Sequence, residues 1–307
     1  MDPEQRYVVG VDAGGTSTRC VLAGPTGGVV ARSEGPGLNQ FSSGADATAV
    51  LMEAIRAALG DVAPSAVVGG VLAIAGAGSG LASAERDACT VWEAVGLAGT
   101  PVVVPDVVAT FAGATTEPAG VALVAGTGAI AAAVQGTEVV RRADGHGWLL
   151  GDVGSAVWLG REAVSAVLGA LDLTSPATAL VEDVLETLGG AADAQGVVRA
   201  VHAAPPANLG VLAPLVSAQA ARGDQVAVDI VHRGVAGLMR SFDAVATGSS
   251  GPTVLGGALL TTDGPLRGLV LDALRRRTVD DVRTSTDAAL GAVRLALTVL
   301  DPPPPTT

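Results

Sequence analysis

The sequence predicts an α/β protein built from two similar domains with a cleft between them. An apolar strand, a glycine-containing loop and a second apolar strand occur near the start of the chain as YVVGVDAGGTSTRCVLA and again in its second half as VALVAGTGAIAAAV. After each copy, segments of helical spacing and short apolar runs of strand length follow, which is typical of α/β domains. Two copies of one pattern indicate duplicated domains, and a cleft between them would receive both glycine loops.

The first half of the chain reads as three strands followed by alternating helices and strands, in the order βββαβαβα. The strand patterns are short apolar or alternating runs, and the helix patterns repeat apolar residues with the period of an α-helix. The predicted strands are 7–12, 18–23, 29–33, 67–75 and 102–105, and the predicted helices are 46–59, 83–95 and 107–114.

The second half starts the same order again with three strands. Longer helical patterns follow, and the last one is stopped by DPPPP, because proline cannot continue a helix. The predicted strands are 121–125, 129–134 and 139–143, with a strand and glycine turn at 253–257, and the predicted helices are 156–168, 177–188, 226–246 and 288–300.

Composition excludes several classes of function. The chain has 307 residues, a net charge of −12 and no lysine among its 18 basic residues, so a Walker-type phosphate loop and a broad nucleic-acid surface are not expected. Cys20 and Cys89 lie in apolar segments without CxxC spacing, which favours buried thiols over a metal site. The beginning of the chain does not resemble a leader, and no apolar run has membrane length, so we expect a cytoplasmic protein.

The two glycine loops are candidate phosphate sites. Glycine exposes backbone N–H groups that can approach phosphate oxygens closely, and Thr16 and Thr127 add hydroxyl donors. Asp12 ends the first strand, where a carboxylate can hold Mg²⁺ directly or through water. The alternative is that both loops are ordinary hairpin turns, with Asp12 as a turn former.

Four segments in order resemble the BadF/BadG/BcrA/BcrD ATPase family, and within it the N-acetylglucosamine and glucosamine kinases. They are VGVDAGGTSTRCVLA, VVVPDVVATFAGA, VALVAGTGAIAAAV and GHGWLLGDVGSAVWLG. The resemblance runs from residue 8 to about residue 300 and implies an actin-like ATPase fold: two ribonuclease-H-like domains with ATP between them. The expected domains are 1–115 together with 288–307, whose helix returns to the first domain, and 116–287.

The resemblance implies ATP and Mg²⁺ as cofactors. It makes Asp12 the residue that serves Mg²⁺ and the phosphates, and it places Gly256 and Gly257 in the turn beneath adenosine. The residues expected in the two phosphate loops are Gly14, Gly15, Thr16, Gly126, Thr127 and Gly128.

The resemblance also implies a catalytic base and a sugar site. Asp106 matches the base, and a helix N-cap is its alternative interpretation. Asp152 matches a carboxylate that holds sugar hydroxyls, although it could instead cap the helix that follows. Further substrate-binding candidates are Asn39, Gly76, Gly145 and His146, of which His146 could also be an exposed loop residue.

Three positions depart from the family pattern. Ala129 replaces the serine of GTGS, which removes a hydroxyl near the phosphates. His146 replaces the tryptophan of GGWG, and Val153 replaces the glutamate of GDEGS. The last two changes lie in the sugar-facing segment, so they bear on the substrate more than on the reaction.

The expected function is an ATP-dependent kinase, a homodimer that phosphorylates the 6-hydroxyl of N-acetylglucosamine or glucosamine and binds neither nucleic acid nor membranes. One alternative is an ATPase that activates a radical dehydratase or reductase through a shared iron–sulfur cluster, which needs accessible cysteines. Another is a catalytically weak sugar-binding relative, because of the three departures. A sugar-responsive repressor is not favoured, since no helix-turn-helix pattern precedes Tyr7.

Overall fold

Two five-stranded sheets flanked by helices make up the part of the chain that the computed structural model describes, residues 6–38 and 47–300. The predicted α/β class is therefore confirmed. The first sheet contains β1 (Tyr7–Ala13), β2 (Ser17–Ala23), β3 (Val29–Pro36), β4 (Val67–Ile74) and β5 (Val102–Pro105). The second contains β6 (Ala119–Ala125), β7 (Ala129–Gln135), β8 (Glu138–Asp144), β9 (Thr253–Gly256) and β10 (Val282–Thr284).

Eleven α-helices are found in these described residues. They connect the strands or pack on them, and several cluster between β8 and β9. Their bounds are α1 (Ala47–Leu59), α2 (Ala77–Val95), α3 (Asp106–Ala114), α4 (Ala156–Leu171), α5 (Leu180–Thr187), α6 (Ala194–His202), α7 (Ala213–Ala221), α8 (Gln225–Ala246), α9 (Ala258–Thr261), α10 (Pro265–Arg276) and α11 (Ala288–Leu300).

The two sheets have the same strand order, β3-β2-β1-β4-β5 in the first and β8-β7-β6-β9-β10 in the second. In the first sheet β1 runs antiparallel to β2 and parallel to β4, and β4 runs parallel to β5. In the second sheet β9 and β10 are parallel. The repeat seen in the sequence is thus a repeat of topology.

The chain divides into two units. Unit 1 comprises Met1–Ala122, Val134–Val140 and Ser285–Thr307, and unit 2 comprises Leu123–Ala133 and Arg141–Thr284. The domain boundaries expected from the family resemblance stay a prediction. No helix in the described residues is long and apolar enough to cross a membrane.

Both faces of β1 are covered in unit 1, and the alternation of its side chains decides what covers them. Val9 and Val11 belong to a buried cluster with residues of α1 and α2. Gly10 faces α11, where a Cβ atom on Gly10 would lie 2.6 Å from the carbonyl oxygen of Ala289. Asp12 is two residues after Gly10 and therefore lies on the same face of β1, so its side chain is directed to the α11 side of the sheet.

The sequence prediction missed several elements and misplaced one helix start. Helix α2 begins at Ala77 rather than at residue 83, with a break in helical geometry at Gly80, and its glycines have low helix propensity. The elements missed are α6, α7, α9, α10 and β10. Most of these elements are short. In α10 the arginines of the last turn interrupt the helical spacing of the apolar residues, so the pattern was not recognised.

Candidate functional site

Three predicted site residues lie at one edge of the first sheet in unit 1. Asp12 is near the end of β1, Gly76 follows β4, and Asp106 follows β5 directly. The register pairs the last residues of these three parallel strands with one another. Because carboxyl ends of parallel strands form the usual ligand edge of an α/β sheet, this edge is a candidate site.

The carboxylate of Asp12 forms no salt bridge among the described residues, and Arg19 is paired with Glu34 instead. Within residues 6–38 and 47–300 the Asp12 carboxylate accepts no hydrogen bond. Burial raises the pKa of Asp12 to about 7; the Asp106 and Asp287 carboxylates add to the rise, and the Arg19 guanidinium opposes it. A half-buried oxygen ligand with other carboxylates nearby favours a bound cation, which fits Mg²⁺.

No side-chain cluster in the described residues could hold a metal by itself, since no group of three or more His, Cys, Asp or Glu residues is suitably placed. Mg²⁺ is commonly held by one or two carboxylates together with substrate phosphates and water. The donor set around Asp12 therefore fits an ion that arrives with a nucleotide rather than a resident metal.

Asp106 is the first residue of α3, and its carboxylate does not cap that helix. The N-cap position is Pro105, and no side chain makes a capping hydrogen bond there. One Asp106 oxygen instead accepts the N–H of Val107 at 3.0 Å. Burial raises the pKa of Asp106, and this backbone N–H opposes the rise. The helix-cap interpretation is therefore wrong.

The first glycine loop, residues 14–16, is held by the segment that follows β3. Its first carbonyl accepts the N–H of Leu38 at 2.9 Å. A Cβ atom on Gly37 would lie 2.6 Å from the backbone nitrogen of Thr16, so only glycine lets the two segments approach. Gly37 was not among the residues predicted from the sequence, although it lies in the same GPGLNQF segment as Asn39. Asn39 itself lies outside the described residues.

The second glycine loop, Gly126 to Gly128 in unit 2, is tied to the start of α4. The carbonyl of Gly126 accepts the N–H of Ala156 at 2.8 Å, and the carbonyl of Thr127 accepts that of Val157 at 3.4 Å. The first backbone N–H groups of an α-helix have no acceptor within the helix, and here loop carbonyls accept hydrogen bonds from two of them. The loop conformation is therefore fixed by the fold.

Gly257 supports the same loop from the end of β9. Its φ angle is +79°, and a Cβ atom on it would lie 2.6 Å from the backbone nitrogen of Gly126. The preceding Gly256 is buried as the last residue of β9. The structure thus brings the predicted adenosine turn into contact with the predicted second phosphate loop.

Asp152 also adjoins this loop. Its side chain is buried, one oxygen accepts the N–H of Gly147 at 3.2 Å, and the other would be 2.8 Å from a Cβ atom on Gly128. Burial raises the pKa of Asp152 to about 6; the Asp144 carboxylate adds to the rise, while the N–H groups of Gly147 and Ala129 and the His146 imidazole lower it.

The helix-cap interpretation of Asp152 is wrong, because another residue caps α4. The Ser155 hydroxyl oxygen accepts the N–H of Trp158 at 3.1 Å. Asp152 lies outside the helix and has a left-handed φ of +56°. Its carboxylate is available for another role.

Asp144 is the functional candidate that sequence reasoning missed. One of its oxygens accepts the N–H of Asp152 at 2.6 Å, and the other accepts the N–H of Val153 at 3.0 Å. In the sequence it reads as a turn former after a strand. Only its position before Gly145, in a segment with three candidate residues, could have drawn attention to it.

The remaining predicted residues of this segment lie beside Asp152 or at the surface. Gly145 has a φ of +70° and donates its N–H to the carbonyl of Ala129 at 3.0 Å. His146 is exposed, yet close enough to lower the pKa of Asp152. Val153 packs on α8, where only a glycine, Gly237, leaves room for its side chain. The family glutamate is thus replaced by a core contact.

Comparisons with known proteins match the chain almost end to end. Residues 9–296 match the BadF/BadG/BcrA/BcrD ATPase family. An N-acetyl-D-glucosamine kinase of Dictyostelium discoideum is 27% identical over 314 aligned residues, covering 94% of this chain and 97% of the relative. An N-acetylmuramic acid/N-acetylglucosamine kinase of Clostridium acetobutylicum is 27% identical over 184 residues, which is 60% of each protein and so less than two thirds of that relative.

Solved structures agree with these matches. A candidate N-acetylglucosamine kinase from Chromobacterium violaceum has a TM-score of 0.77 and 27% identity, covering 95% of this chain and 99% of that one. A ROK family glucokinase from Streptomyces griseus, in complex with glucose and AMPPNP, has a TM-score of 0.55 and 18% identity, which is a likeness of fold alone. The expected fold, two actin-like ATPase domains, is confirmed.

Proposed function

The chain belongs to the BadF/BadG/BcrA/BcrD ATPase family, and we propose that it is an ATP-dependent kinase that phosphorylates the 6-hydroxyl of an amino sugar. N-acetylglucosamine is the first candidate acceptor and glucosamine the second, since the similar proteins from Dictyostelium and Chromobacterium carry the name N-acetylglucosamine kinase. The observation that carries the proposal concerns the Asp106 carboxylate. It caps no helix, and it lies near Asp12 at the carboxyl ends of the parallel strands.

Asp106 would act as the general base. A sugar hydroxyl is a poor nucleophile, and a carboxylate within hydrogen-bond reach can orient it and accept its proton as the new oxygen–phosphorus bond forms. The bond between the γ-phosphorus and the β–γ bridging oxygen breaks, so ADP leaves with the bridging oxygen. The burial that raises the pKa of Asp106 makes it a stronger base.

The other predicted residues would bind and orient the reactants. Asp12 would hold Mg²⁺, which neutralises phosphate charge when bound. The two glycine loops would present backbone N–H groups to the nucleotide, with Gly256 and Gly257 beneath adenosine. Asp152 would accept hydrogen bonds from sugar hydroxyls, and the further sugar-contact candidates are Asn39, Gly76, Gly145 and His146.

Three further expectations belong to the same proposal: a cytoplasmic location, a homodimer, and domains at 1–115 plus 288–307 and 116–287. The homodimer and the domain boundaries rest on the family resemblance, and the location rests on the composition of the sequence. Sedimentation at several protein concentrations tests the dimer, and limited proteolysis with mapped cleavage sites tests the boundaries.

The alternative role as an activator of a radical dehydratase is poorly supported. It requires accessible thiolates for a shared iron–sulfur cluster. Cys20 is fully buried, as expected, and burial raises the pKa of its thiol to about 12. Cys89 is partly exposed, which corrects the expectation of a second buried thiol, but it supplies one thiol alone. An iron analysis of anaerobically purified protein tests this directly, and stoichiometric iron would favour the alternative.

The proposed reaction is tested by coupled ADP release on a panel of sugars. The panel contains N-acetylglucosamine, glucosamine, N-acetylmannosamine, glucose and N-acetylmuramic acid. We expect turnover that depends on ATP, with N-acetylglucosamine giving the highest kcat/KM. Sugar binding by calorimetry without ADP release on any member would instead identify a catalytically weak sugar-binding relative.

A further inference from the structure

Two aspartates with left-handed backbone conformations face each other across one loop of unit 2. Asp144 has a φ of +63° and Asp152 a φ of +56°. Residues other than glycine occupy this region rarely, and they hold it when surrounding contacts fix it. The contacts are the two hydrogen bonds from the N–H groups of Asp152 and Val153 to the Asp144 carboxylate.

We propose that Asp144 is the positioning residue of the Asp152 carboxylate and thereby determines how tightly the acceptor sugar is bound. The inference rests on the proposed function, because it takes Asp152 as a sugar ligand. Asp144 holds the backbone of Asp152 and its neighbour from one side. The side chain of Asp152 is then directed to Gly147 and Gly128.

Asp144 acts on Asp152 both through its hydrogen bonds and through its charge. Each of its two oxygens accepts one backbone N–H, whereas an asparagine side chain has a single acceptor oxygen. A second carboxylate next to a buried one is unfavourable, and in this protein it raises the pKa of Asp152 further. The other groups that act on Asp152 are the N–H groups of Gly147 and Ala129 and the His146 imidazole, and all of these favour the ionised form. Like charges held together in this way are typical of functional sites.

The departure at position 153 points in the same direction. Where the resembled family has a glutamate, this chain has Val153, whose side chain is packed on α8. Its backbone N–H is one of the two that Asp144 accepts. The acidic group beside Asp152 in this chain is Asp144, while residue 153 contributes its backbone N–H and a core contact.

The test compares Asp144→Asn with a matched control, Asp224→Asn. Asparagine tolerates a positive φ, so the change keeps the backbone and removes the charge and one acceptor. Asp224 also accepts two backbone N–H groups, those of Ala227 at 2.9 Å and Ala179 at 2.8 Å, but it lies apart from the candidate residues. Both variants replace a carboxylate that accepts backbone N–H groups on its two oxygens, although Asp224 also caps α8 and accepts the Thr178 hydroxyl, and only Asp144 lies next to Asp152.

The readout is the dissociation constant of N-acetylglucosamine, measured by calorimetry without nucleotide between pH 5 and pH 8. For the parent we expect binding to weaken as the pH falls through about 6, where Asp152 gains a proton. For Asp144→Asn we expect Kd at pH 8 to rise about tenfold, as for one lost hydrogen-bonded contact, and the weakening to begin at a lower pH. For Asp224→Asn, the Kd at pH 8 and the pH at which binding weakens should both match those of the parent.

Two results would overturn the inference: an unchanged Kd and pH profile in folded Asp144→Asn, or equal changes in both variants. If Asp144→Asn is not recovered folded, Asp144→Gly replaces it, because glycine adopts positive φ without strain, and an unchanged Kd again overturns the inference. A parent that binds N-acetylglucosamine but does not phosphorylate it refutes the proposed function alone. A parent that binds no sugar refutes both.

Discussion

Asp106 is the residue whose substitution separates catalysis from folding most clearly. Asp106→Asn keeps the size and one oxygen but removes the proton acceptor, so kcat should fall by about 10² to 10⁴ with ATP binding retained. The measurement is steady-state kinetics on the best sugar of the panel. Asp193→Asn is the control, since Asp193 caps α6 by accepting the N–H of Gly196, and asparagine caps equally well. A kcat for Asp106→Asn within about threefold of the parent would eliminate Asp106 as the base.

The raised pKa of Asp152 predicts that the stability of the unligated protein depends on pH. This pKa is about 6 in the folded state against an ordinary 3.8, so the folded state holds the proton more tightly than the unfolded state. The resulting stabilisation is complete below about pH 4 and is lost as the pH rises through 6. Its full size is at most about 3 kcal/mol.

Urea unfolding at pH 5 and pH 7.5, without sugar or nucleotide, measures this effect. Asp152→Asn cannot titrate, so its free energy of unfolding should decline less between the two pH values than that of the parent. Asp12 and Asp106 also have raised pKa values and remain in the variant, so the decline should shrink rather than vanish. Equal declines in the two proteins would contradict the raised pKa of Asp152.

The glycine loops are local elements whose shape depends on contacts with distant segments. Gly257 illustrates this, because a side chain there would collide with the backbone at the start of the second loop. Gly257→Ala should therefore raise the KM for ATP at least tenfold by displacing the loop, with a smaller effect on the Kd of the sugar. Kinetics at varied ATP and calorimetry with the sugar measure the two effects.

Gly248→Ala is the matched control for that prediction. Gly248 has a similar φ of +76°, but a Cβ atom there would meet nothing within 4 Å. Both substitutions carry the strain of a positive φ, and only Gly257→Ala adds the collision with the loop backbone. If the two variants raise the KM for ATP equally, the contact between Gly257 and the loop has no role in nucleotide binding.

For the whole molecule, the predicted metal requirement can be tested by removing the ion. Chelation of Mg²⁺ by EDTA should abolish ADP release and leave sugar binding intact, because the described residues offer no complete metal site without a nucleotide. Asp12→Asn should raise the Mg²⁺ concentration needed for half-maximal activity at least tenfold. Asp61→Asn, at an exposed position, is the control. If Asp12→Asn reaches half-maximal activity at the same Mg²⁺ concentration as the parent, Asp12 does not hold the metal.

The sequence by itself determined the fold class, the repeat and most strands of the two sheets. These follow from local patterns: alternating or continuous apolar runs such as residues 7–12, and helical spacing such as 226–246. Asp12 and Asp106 could also be singled out, because each ends an apolar strand within a motif that resembles a known family. What these predictions share is that the signal lies within a short segment.

The tertiary structure alone decided which backbones approach one another and which carboxylates share an environment. Gly37 and Gly257 matter because segments distant in sequence contact them where a Cβ atom would be, and no local pattern encodes that contact. The raised pKa values of Asp12 and Asp152 depend on burial and on carboxylates brought near by folding, and Asp144 became a candidate only through two hydrogen bonds across a loop. Desolvation and Coulomb interaction depend on distance in space rather than on distance along the chain.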